Sequence, residues 1–233
     1  MMFAQTTHPS AAGYTPPAPQ MPPIAQPQQF AVETRGVTKR YGRQTVVNQL
    51  NLAIPSGGVY GFLGPNGAGK STTMKMLLGL AKPTAGEVRV FGRDLRANRA
   101  DILPRIGSLI EGPAFYPHLT GAQNLRIVAD YLSCDKSSID AVLDIVGLTD
   151  AAGKRARQYS LGMKQRLGIA MALISGPELL LLDEPTNGLD PAGVAEIRNL
   201  IVQLAHDRGI TVMVSSHLLS EIEQMADIVG IIQ

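Results

Sequence analysis

The feature that most constrains this chain is a glycine-rich loop between an apolar run and a helical pattern. The apolar run is Val59 to Leu63, and the helical pattern extends from Ser71 to Leu80. An apolar strand that leads through a short loop into a helix is the opening of a parallel βα unit, so an α/β fold is predicted. The loop matches the pattern G-x-x-x-x-G-K-[ST], with Gly64, Pro65, Asn66, Gly67, Ala68, Gly69, Lys70 and Ser71.

This loop has the chemistry of a phosphate site. Its glycines let backbone N–H groups surround phosphate oxygens, and the helix N-terminus adds favourable dipole charge. We expect Lys70 to reach the β- and γ-phosphates of a nucleotide, the Ser71 hydroxyl to bind Mg²⁺, and Thr72 to contact the nucleotide. A tight turn without a ligand is the structural alternative, but it leaves Lys70 and Ser71 unexplained. The loop alone does not distinguish kinases, GTPases, helicases and transporters.

Composition narrows the possible classes of protein. The 233 residues suffice for one domain, and the formal net charge of +2 gives no electrostatic argument for nucleic acid as the main partner. Cys134 is the only cysteine, which excludes an internal disulfide. Together with the lack of a cleavable N-terminal signal, this favours a reducing cytoplasm. The most apolar stretch, Leu167 to Leu182, is interrupted by glycine, proline and glutamate, so we expect no membrane-spanning helix.

The chain divides at about residue 30. From Met1 to Phe30 it is dominated by Pro, Gln, Ala and Thr and contains no Asp, Glu, Lys or Arg. Such a composition predicts a disordered tail, with a Pro-rich docking segment as the alternative. Residues 31–233 are predicted to form the folded domain.

Apolar runs in the folded part predict two kinds of strand. Gln44 to Ile54 ends in a turn signal and suggests antiparallel pairing ahead of the phosphate loop. Leu179 to Leu182, Thr211 to Ser215 and Ile228 to Ile232 alternate with helical stretches. These later runs are typical of buried strands in one mostly parallel sheet.

Residues 119–176 are predicted to form a mostly helical subdomain. Thr120 and Gln123 have the spacing of a capping box, which places a helix start at Thr120. A further helix is predicted from Ser160 onward.

Two acids follow one of the apolar runs. Asp183 and Glu184 come directly after Leu179 to Leu182, at the sheet edge where ligands of open α/β folds bind. Burying their charge without a cation would be costly. Asp183 therefore fits an outer ligand of Mg²⁺, and Glu184 fits a general base that orients the water attacking a γ-phosphate. Two surface acids ending a strand are the structural alternative.

The order of these motifs resembles that of ABC transporter nucleotide-binding domains, which are P-loop NTPases. The resemblance extends from about Ala31 to the last residue and implies ATP and Mg²⁺ as ligands and ATP hydrolysis as the activity. The chain stops one residue after Ile232, which raises the expectation that terminal strands or a C-terminal region of the family fold lie beyond it. The motifs in order are Tyr41, the phosphate loop, the signature segment Ser160 to Arg166, Asp183 with Glu184, the Gly188-Leu189-Asp190 turn and His217.

The family implies a head-to-tail dimer, in which ATP on one subunit's phosphate loop is closed by the signature segment of the other. Ser160 suits this role because a helix N-cap presents its hydroxyl and the following N–H groups to an arriving γ-phosphate. Gly162 keeps the family's tight backbone, whereas Leu161 and Met163 replace the usual glycine and glutamine. Taken alone, Ser160 would be an ordinary helix cap.

Three more residues take roles from the resemblance. Tyr41 corresponds to the adenine-stacking aromatic, Asp190 to an interface residue beside the opposing phosphate loop, and His217 to the histidine that holds the attacking water. Each has a structural alternative, which is sheet packing for Tyr41, capping with Pro191 for Asp190, and a structural imidazole for His217. The predicted catalytic set is Glu184, His217 and Lys70.

Glu111 departs from the family pattern. It follows the predicted strand Ile106 to Ile110, where most of the family carries a glutamine that senses γ-phosphate. An ionised glutamate only accepts hydrogen bonds and adds negative charge, whereas glutamine also donates. Glu111 is the third predicted metal ligand, after Ser71 and Asp183, and is also a predicted nucleotide contact. This acid and the segment through Thr120 resemble the bacitracin-resistance and lantibiotic-immunity branch, and an exposed loop acid is the alternative.

These features predict an ATPase at the cytoplasmic face of the plasma membrane, energising a separate membrane-spanning permease. The branch resemblance implies export of a peptide antibiotic or a similar amphipathic compound, with permease contact between Glu111 and Thr120. The dimer is formed with a second copy or a paired ATPase subunit, and no nucleic-acid partner is expected. A non-transport ABC ATPase acting on DNA or the ribosome and a catalytically dead scaffold are the alternatives.

Overall fold

The computed structural model describes residues 30–233. These residues form an antiparallel sheet, a parallel sheet and surrounding helices, which confirms the predicted α/β class. The predicted disordered tail lies outside the described residues except for Phe30, which is the first residue of a strand. None of the helices in residues 30–233 has the length and hydropathy needed to cross a membrane.

The strands of the described residues are β1 (Phe30–Tyr41), β2 (Gln44–Pro55), β3 (Val59–Leu63), β4 (Ala85–Val90), β5 (Arg93–Asp94), β6 (Ile106–Leu109), β7 (Leu179–Asp183), β8 (Thr211–Ser216) and β9 (Ile228–Ile231). They form two sheets, with order β2-β1-β4-β5 in the antiparallel sheet and β6-β7-β8-β3-β9 in the parallel one. Every residue of β7 and β8 is buried, as expected for central parallel strands covered on both faces.

The helices cover the parallel sheet and form the region between β6 and β7. They are α1 (Lys70–Leu77), α2 (Arg99–Ile102), α3 (Gly121–Leu132), α4 (Ser137–Ile145), α5 (Leu161–Leu173), α6 (Pro191–His206) and α7 (Leu219–Ile222). The predicted capping box is confirmed, because the Thr120 hydroxyl accepts from the Gln123 N–H and the Gln123 side chain accepts from the Thr120 N–H. The predicted helix after Ser160 is also confirmed.

Helix α1 is shorter than the predicted span of Ser71 to Leu80, since it ends at Leu77. Gly79 has φ of +64°, a left-handed conformation that stops a helix, and the Leu80 N–H then donates to the Lys75 carbonyl. Leu80 is consequently 71 % exposed. The predicted strand ending at Ile110 is shorter by one residue, since β6 ends at Leu109.

Two apolar cores lie on opposite faces of the parallel sheet. Phe62, Met74 and Leu181 belong to the core shared with the antiparallel sheet. Leu182 and Leu167 belong to the core shared with the helices. Because consecutive residues of β7 enter different cores, this strand holds both layers together.

Helix α5 approaches the sheet closely at Gly107 of β6. A Cβ atom built on Gly107 would lie 2.2 Å from the Ala172 carbonyl oxygen, a backbone atom that cannot rotate away. The closeness fixes α5, which begins in the signature segment, against the strand that leads to Glu111.

We expect Gly107→Ala to lower the free energy of unfolding by about 2 kcal/mol, because the added methyl group would push α5 off the sheet. Gly153→Ala is the control, since a Cβ on Gly153 meets no atom within 4 Å, and its change should stay within about 0.5 kcal/mol. Denaturant unfolding of both variants measures this, and equal stabilities would contradict the close packing.

Candidate functional site

The candidate site lies at the carboxyl edge of the parallel sheet. The phosphate loop follows β3, the acidic pair ends β7, and His217 follows β8, so three neighbouring strands bring them together. A cavity of about 420 Å³ opens here. Its lining residues are Asn66, Ser71, Glu111, Gly112, Gln165, Asp183, Glu184 and Asn187.

The phosphate loop is held close to β2. Gly69, which precedes α1, has φ of +98°, and a Cβ atom there would lie 2.8 Å from the Val46 carbonyl oxygen. Gly67 has φ of +86°. These conformations suit glycine and leave the loop backbone free of side-chain obstruction. Pro65, Asn66 and Gly67 are exposed, so the loop is accessible to a ligand.

Lys70 is buried beneath this loop, with 5 % of its surface exposed. Its Nζ donates to the carbonyl oxygens of Gly64 at 2.7 Å and Pro65 at 3.1 Å. The same Nζ lies 3.1 Å from Oε1 of Glu184. These contacts give the buried ammonium group three oxygen partners.

Asp183 is also buried, at 8 % exposure. Its Oδ1 accepts a hydrogen bond of 2.7 Å from the Ser215 hydroxyl, and the Ser215 oxygen accepts the N–H of Glu184 at 3.0 Å. Ser215 therefore ties both acids to the neighbouring strand β8. The hydrogen bond offsets part of the cost of burying the carboxylate of Asp183.

Glu184 lies between the two other predicted catalytic residues. Its Oε1 faces Lys70, and its Oε2 lies 3.2 Å from Nδ1 of His217. A hydrogen bond from His217 to an ionised Glu184 requires the proton on Nδ1, because an ionised carboxylate only accepts. Glu184 has φ of +47°, which is uncommon for a residue with a side chain and is typical of functional sites.

Glu111 also lines the cavity. Its Oε1 is 2.5 Å from Nζ of Lys75, which lies one turn after Ser71 on α1. Glu111 also has a positive φ of 59°, and its side chain is 65 % exposed. The ion pair partly neutralises the acidic residue that departs from the family pattern.

The residues present fit a magnesium ion that takes most of its ligands from phosphate and water. In residues 30–233, no group of three or more His, Cys, Asp and Glu side chains is arranged to hold a metal by itself. Ser71 and Asp183 both line the cavity and offer a hydroxyl and a carboxylate oxygen, which suits the oxygen preference of Mg²⁺. Glu111 lines the same cavity but is engaged by Lys75.

Ser160, Gly162 and Asp190 lie outside the lining of this cavity, whereas Gln165 of the signature segment belongs to it. Ser160 caps α5, its hydroxyl accepting the Met163 N–H at 3.2 Å, and Asp190 caps α6 by accepting the Gly193 N–H at 3.0 Å. Gly162 lies near Leu189, since a Cβ built on it would be 4.0 Å from Leu189 Cδ2. Among the described residues, the cavity lining therefore contains neither Ser160, Gly162 nor Asp190.

Tyr41 is likewise separate from the cavity lining. It ends β1 with 51 % of its surface exposed, and Nζ of Lys39 lies 4.6 Å from its ring centroid. The ammonium group of Lys39 thus lies over the Tyr41 ring at the distance of a cation–π contact. The predicted adenine contact remains a prediction. Thr72, the third residue of α1, is partly buried.

Sequence reasoning missed several residues of the site. Ser215 had a detectable signal, because it is a polar residue in a strand that is otherwise mostly apolar. Gln165 belongs to the signature segment, but no contact was predicted for it. Lys75 had no signal, since only the folded chain brings it to Glu111. Gln165 is 6 % exposed, and its Oε1 has no hydrogen-bond partner within residues 30–233.

Comparisons with known proteins agree with this arrangement. A family model described as ABC transporter matches residues 47–187, which include the phosphate loop, the signature segment and the acidic pair. The chain belongs to the ABC transporter family.

Two curated relatives of this family member carry names that refer to peptide antibiotics. The chain is 55 % identical to the bacitracin transport ATP-binding protein BcrA of Bacillus licheniformis over 86 % of its own length and 66 % of the relative's. It is 47 % identical to the lantibiotic transport ATP-binding protein SrtF of Streptococcus pyogenes, with 86 % of each chain covered. The chain thus spans just under two thirds of the length of BcrA.

Solved structures show the same fold. The chain is similar to cbiO1 from Clostridium perfringens, part of the ABC transporter complex cbiONQ, with a TM-score of 0.80 and 27 % identity. That similarity covers 88 % of this chain and 86 % of cbiO1. The predicted P-loop NTPase architecture is therefore confirmed.

We expect Lys70→Ala to weaken ATP binding by at least about tenfold, because it removes the buried cation beneath the phosphate loop. Lys82→Ala is the control, since Lys82 is exposed and outside the cavity lining. Equilibrium titration with a fluorescent ATP analogue measures both, and an unchanged affinity for Lys70→Ala would rule out the phosphate contact.

Proposed function

We propose that this chain binds and hydrolyses ATP as the energising subunit of an ABC transporter. The observation that carries this proposal is the position of Glu184, whose two carboxylate oxygens lie 3.1 Å from Lys70 Nζ and 3.2 Å from His217 Nδ1. This carboxylate lies between a phosphate-loop lysine and a histidine at the carboxyl edge of the sheet of a P-loop NTPase. It is therefore suited to orient a water molecule for attack on phosphorus.

Each residue has a distinct part in this hydrolysis. Triphosphate oxygens compete with Glu184 for the ammonium group of Lys70, and the released carboxylate accepts a proton from the attacking water. His217 keeps the carboxylate oriented through its Nδ1 contact. Ser71 and Asp183 would hold Mg²⁺, which would supply charge neutralisation for the phosphates.

The complete site requires a second ATPase subunit. Ser160 and Asp190 lie outside the cavity lining and cap exposed ends of α5 and α6, so their free faces are available to another copy or a paired subunit. A serine-capped helix N-terminus adds N–H donors and positive dipole charge at a γ-phosphate. ATP held on one phosphate loop is thereby enclosed by the signature segment of the other subunit.

The ATPase acts on a separate permease at the cytoplasmic face of the membrane, and the transported compound is a peptide antibiotic or a similar amphipathic molecule. The names of BcrA and SrtF, which refer to bacitracin and lantibiotic transport, support this substrate class. The segment from Glu111 to Thr120 supports permease contact, because Glu111 lines the cavity and Tyr116 exposes 53 % of its surface nearby in sequence.

We expect Glu184→Gln to keep ATP affinity and to lower the hydrolysis rate by at least about a hundredfold, because glutamine cannot accept the water proton. The variant should also accumulate an ATP-bound dimer, which size-exclusion chromatography detects. Glu87→Gln, a change of the same kind at an exposed residue of β4, is the control. Near-normal phosphate release by Glu184→Gln would contradict the assignment of the base.

Transport is tested with the permease that associates with the chain. We expect ATP-dependent co-purification with a membrane protein and increased resistance to bacitracin or a lantibiotic when both are expressed. Glu184→Gln should preserve the association and abolish resistance. Wild-type ATP hydrolysis without any effect on peptide-antibiotic sensitivity would retain the ATPase and refute the substrate class.

A further inference from the structure

Glu221 of α7 bridges the two loops that carry the acid–histidine pair. Its Oε2 accepts the Thr186 hydroxyl at 2.8 Å and the Ser216 hydroxyl at 3.0 Å. Thr186 follows β7 and Ser216 ends β8, so a single carboxylate oxygen joins segments that are 30 positions apart in the chain.

Both segments lead directly to catalytic groups. Thr186 lies two residues after Glu184, and Ser216 immediately precedes His217. The Ser216 oxygen also accepts the Leu218 N–H at 3.0 Å, so the backbone on both sides of His217 is attached to the same network. A displacement of Glu221 would therefore move the loops of Glu184 and His217 relative to each other.

Burial makes this bridge costly to lose. Thr186 and Ser216 are 4 % and 3 % exposed, and the Glu221 carboxylate is the acceptor of both hydroxyl groups. Hydrogen bonds to a carboxylate are stronger than those between neutral groups. Without the carboxylate, two buried hydroxyls must find other acceptors, and the simplest response is a shift of the loops that carry them.

The strained backbone at Glu184 increases the need for such a bridge. A non-glycine residue with φ of +47° persists only when its surroundings hold it there. Ser215 holds the Glu184 N–H from one side, and the Glu221–Thr186 hydrogen bond restrains the chain two residues later. Both restraints come from the β8–α7 segment.

We infer that Glu221 is a positioning residue that keeps Glu184 and His217 at hydrogen-bond distance. This inference rests on the proposed ATPase function and adds a residue that acts on the site through Thr186 and Ser216. Glu221 lines a second cavity, beside Glu184 and His217, and is not in the lining that contains Ser71 and Asp183 among the described residues. Its effect should therefore fall on turnover and leave nucleotide binding intact.

The kinetic test uses Glu221→Ala, with Glu223→Ala as the matched control. Glu223 is two residues away in the chain and is exposed, so its removal should leave turnover unchanged. We expect Glu221→Ala to lower kcat by at least about tenfold with an ATP affinity within about twofold of wild type, because loss of orientation slows the chemical step. Equal kcat values for the two variants would overturn the inference.

Glu221→Gln distinguishes positioning from a requirement for charge. The glutamine carbonyl oxygen still accepts from both hydroxyls, so this variant should recover most of the kcat lost in Glu221→Ala. A combined Thr186→Val and Ser216→Ala variant should show the same loss as Glu221→Ala, and adding Glu221→Ala to it should cause little further loss. Additive losses would contradict a shared network.

A spectroscopic readout tests the bridge without requiring hydrolysis. The imidazole NMR signals of His217, assigned by comparison with His217→Gln, should shift in Glu221→Ala and stay close to wild type in Glu221→Gln and Glu223→Ala. Unchanged His217 signals in Glu221→Ala would overturn the inference even if the wild-type chain hydrolyses ATP. If the wild type lacks hydrolysis but the signals shift as expected, the proposed function fails and the positioning bridge stands.

Discussion

The site depends on the hydrogen bonds that Ser215 makes between two parallel strands. Its hydroxyl donates to Asp183 and accepts from the Glu184 backbone, at 2.7 and 3.0 Å. Ser215 is directly opposite Asp183 in the β7–β8 register and has no exposed surface. Because the buried Ser215 hydroxyl both donates and accepts, the spacing of the two strands and the positions of both acids depend on the same side chain.

Charge at the site is arranged around that constraint. Glu184 contacts Lys70 through one carboxylate oxygen and His217 through the other, and Lys75 forms an ion pair with Glu111. Each buried or half-buried charge therefore has an opposite or hydrogen-bonding partner, as low-dielectric surroundings require.

Local sequence signals predicted much of the fold. Thr120 with Gln123 indicated a helix start because a capping box involves only residues three apart, and the apolar run of β7 indicated a strand buried on both faces. Helix α1 is shorter than its helical pattern predicts, because Gly79 adopts a left-handed conformation that ends the helix within the pattern. The predicted roles of Tyr41, Ser160 and Asp190 concern a bound nucleotide and a second subunit, so the isolated fold shows only where these residues lie.

The amino-acid sequence by itself determined the phosphate loop, the acidic pair at a strand end and the helix caps, because these depend on residues adjacent in the chain. Only the tertiary structure decided the partners of the charges. Lys75 and Glu111 are 36 positions apart in the chain, and Thr186 and Glu221 are 35 apart. Neither contact can therefore be inferred from a periodic pattern or a motif spacing in the sequence. The physical reason is that parallel strands are joined by long crossover connections, so residues far apart in the chain meet at the carboxyl edge of the sheet.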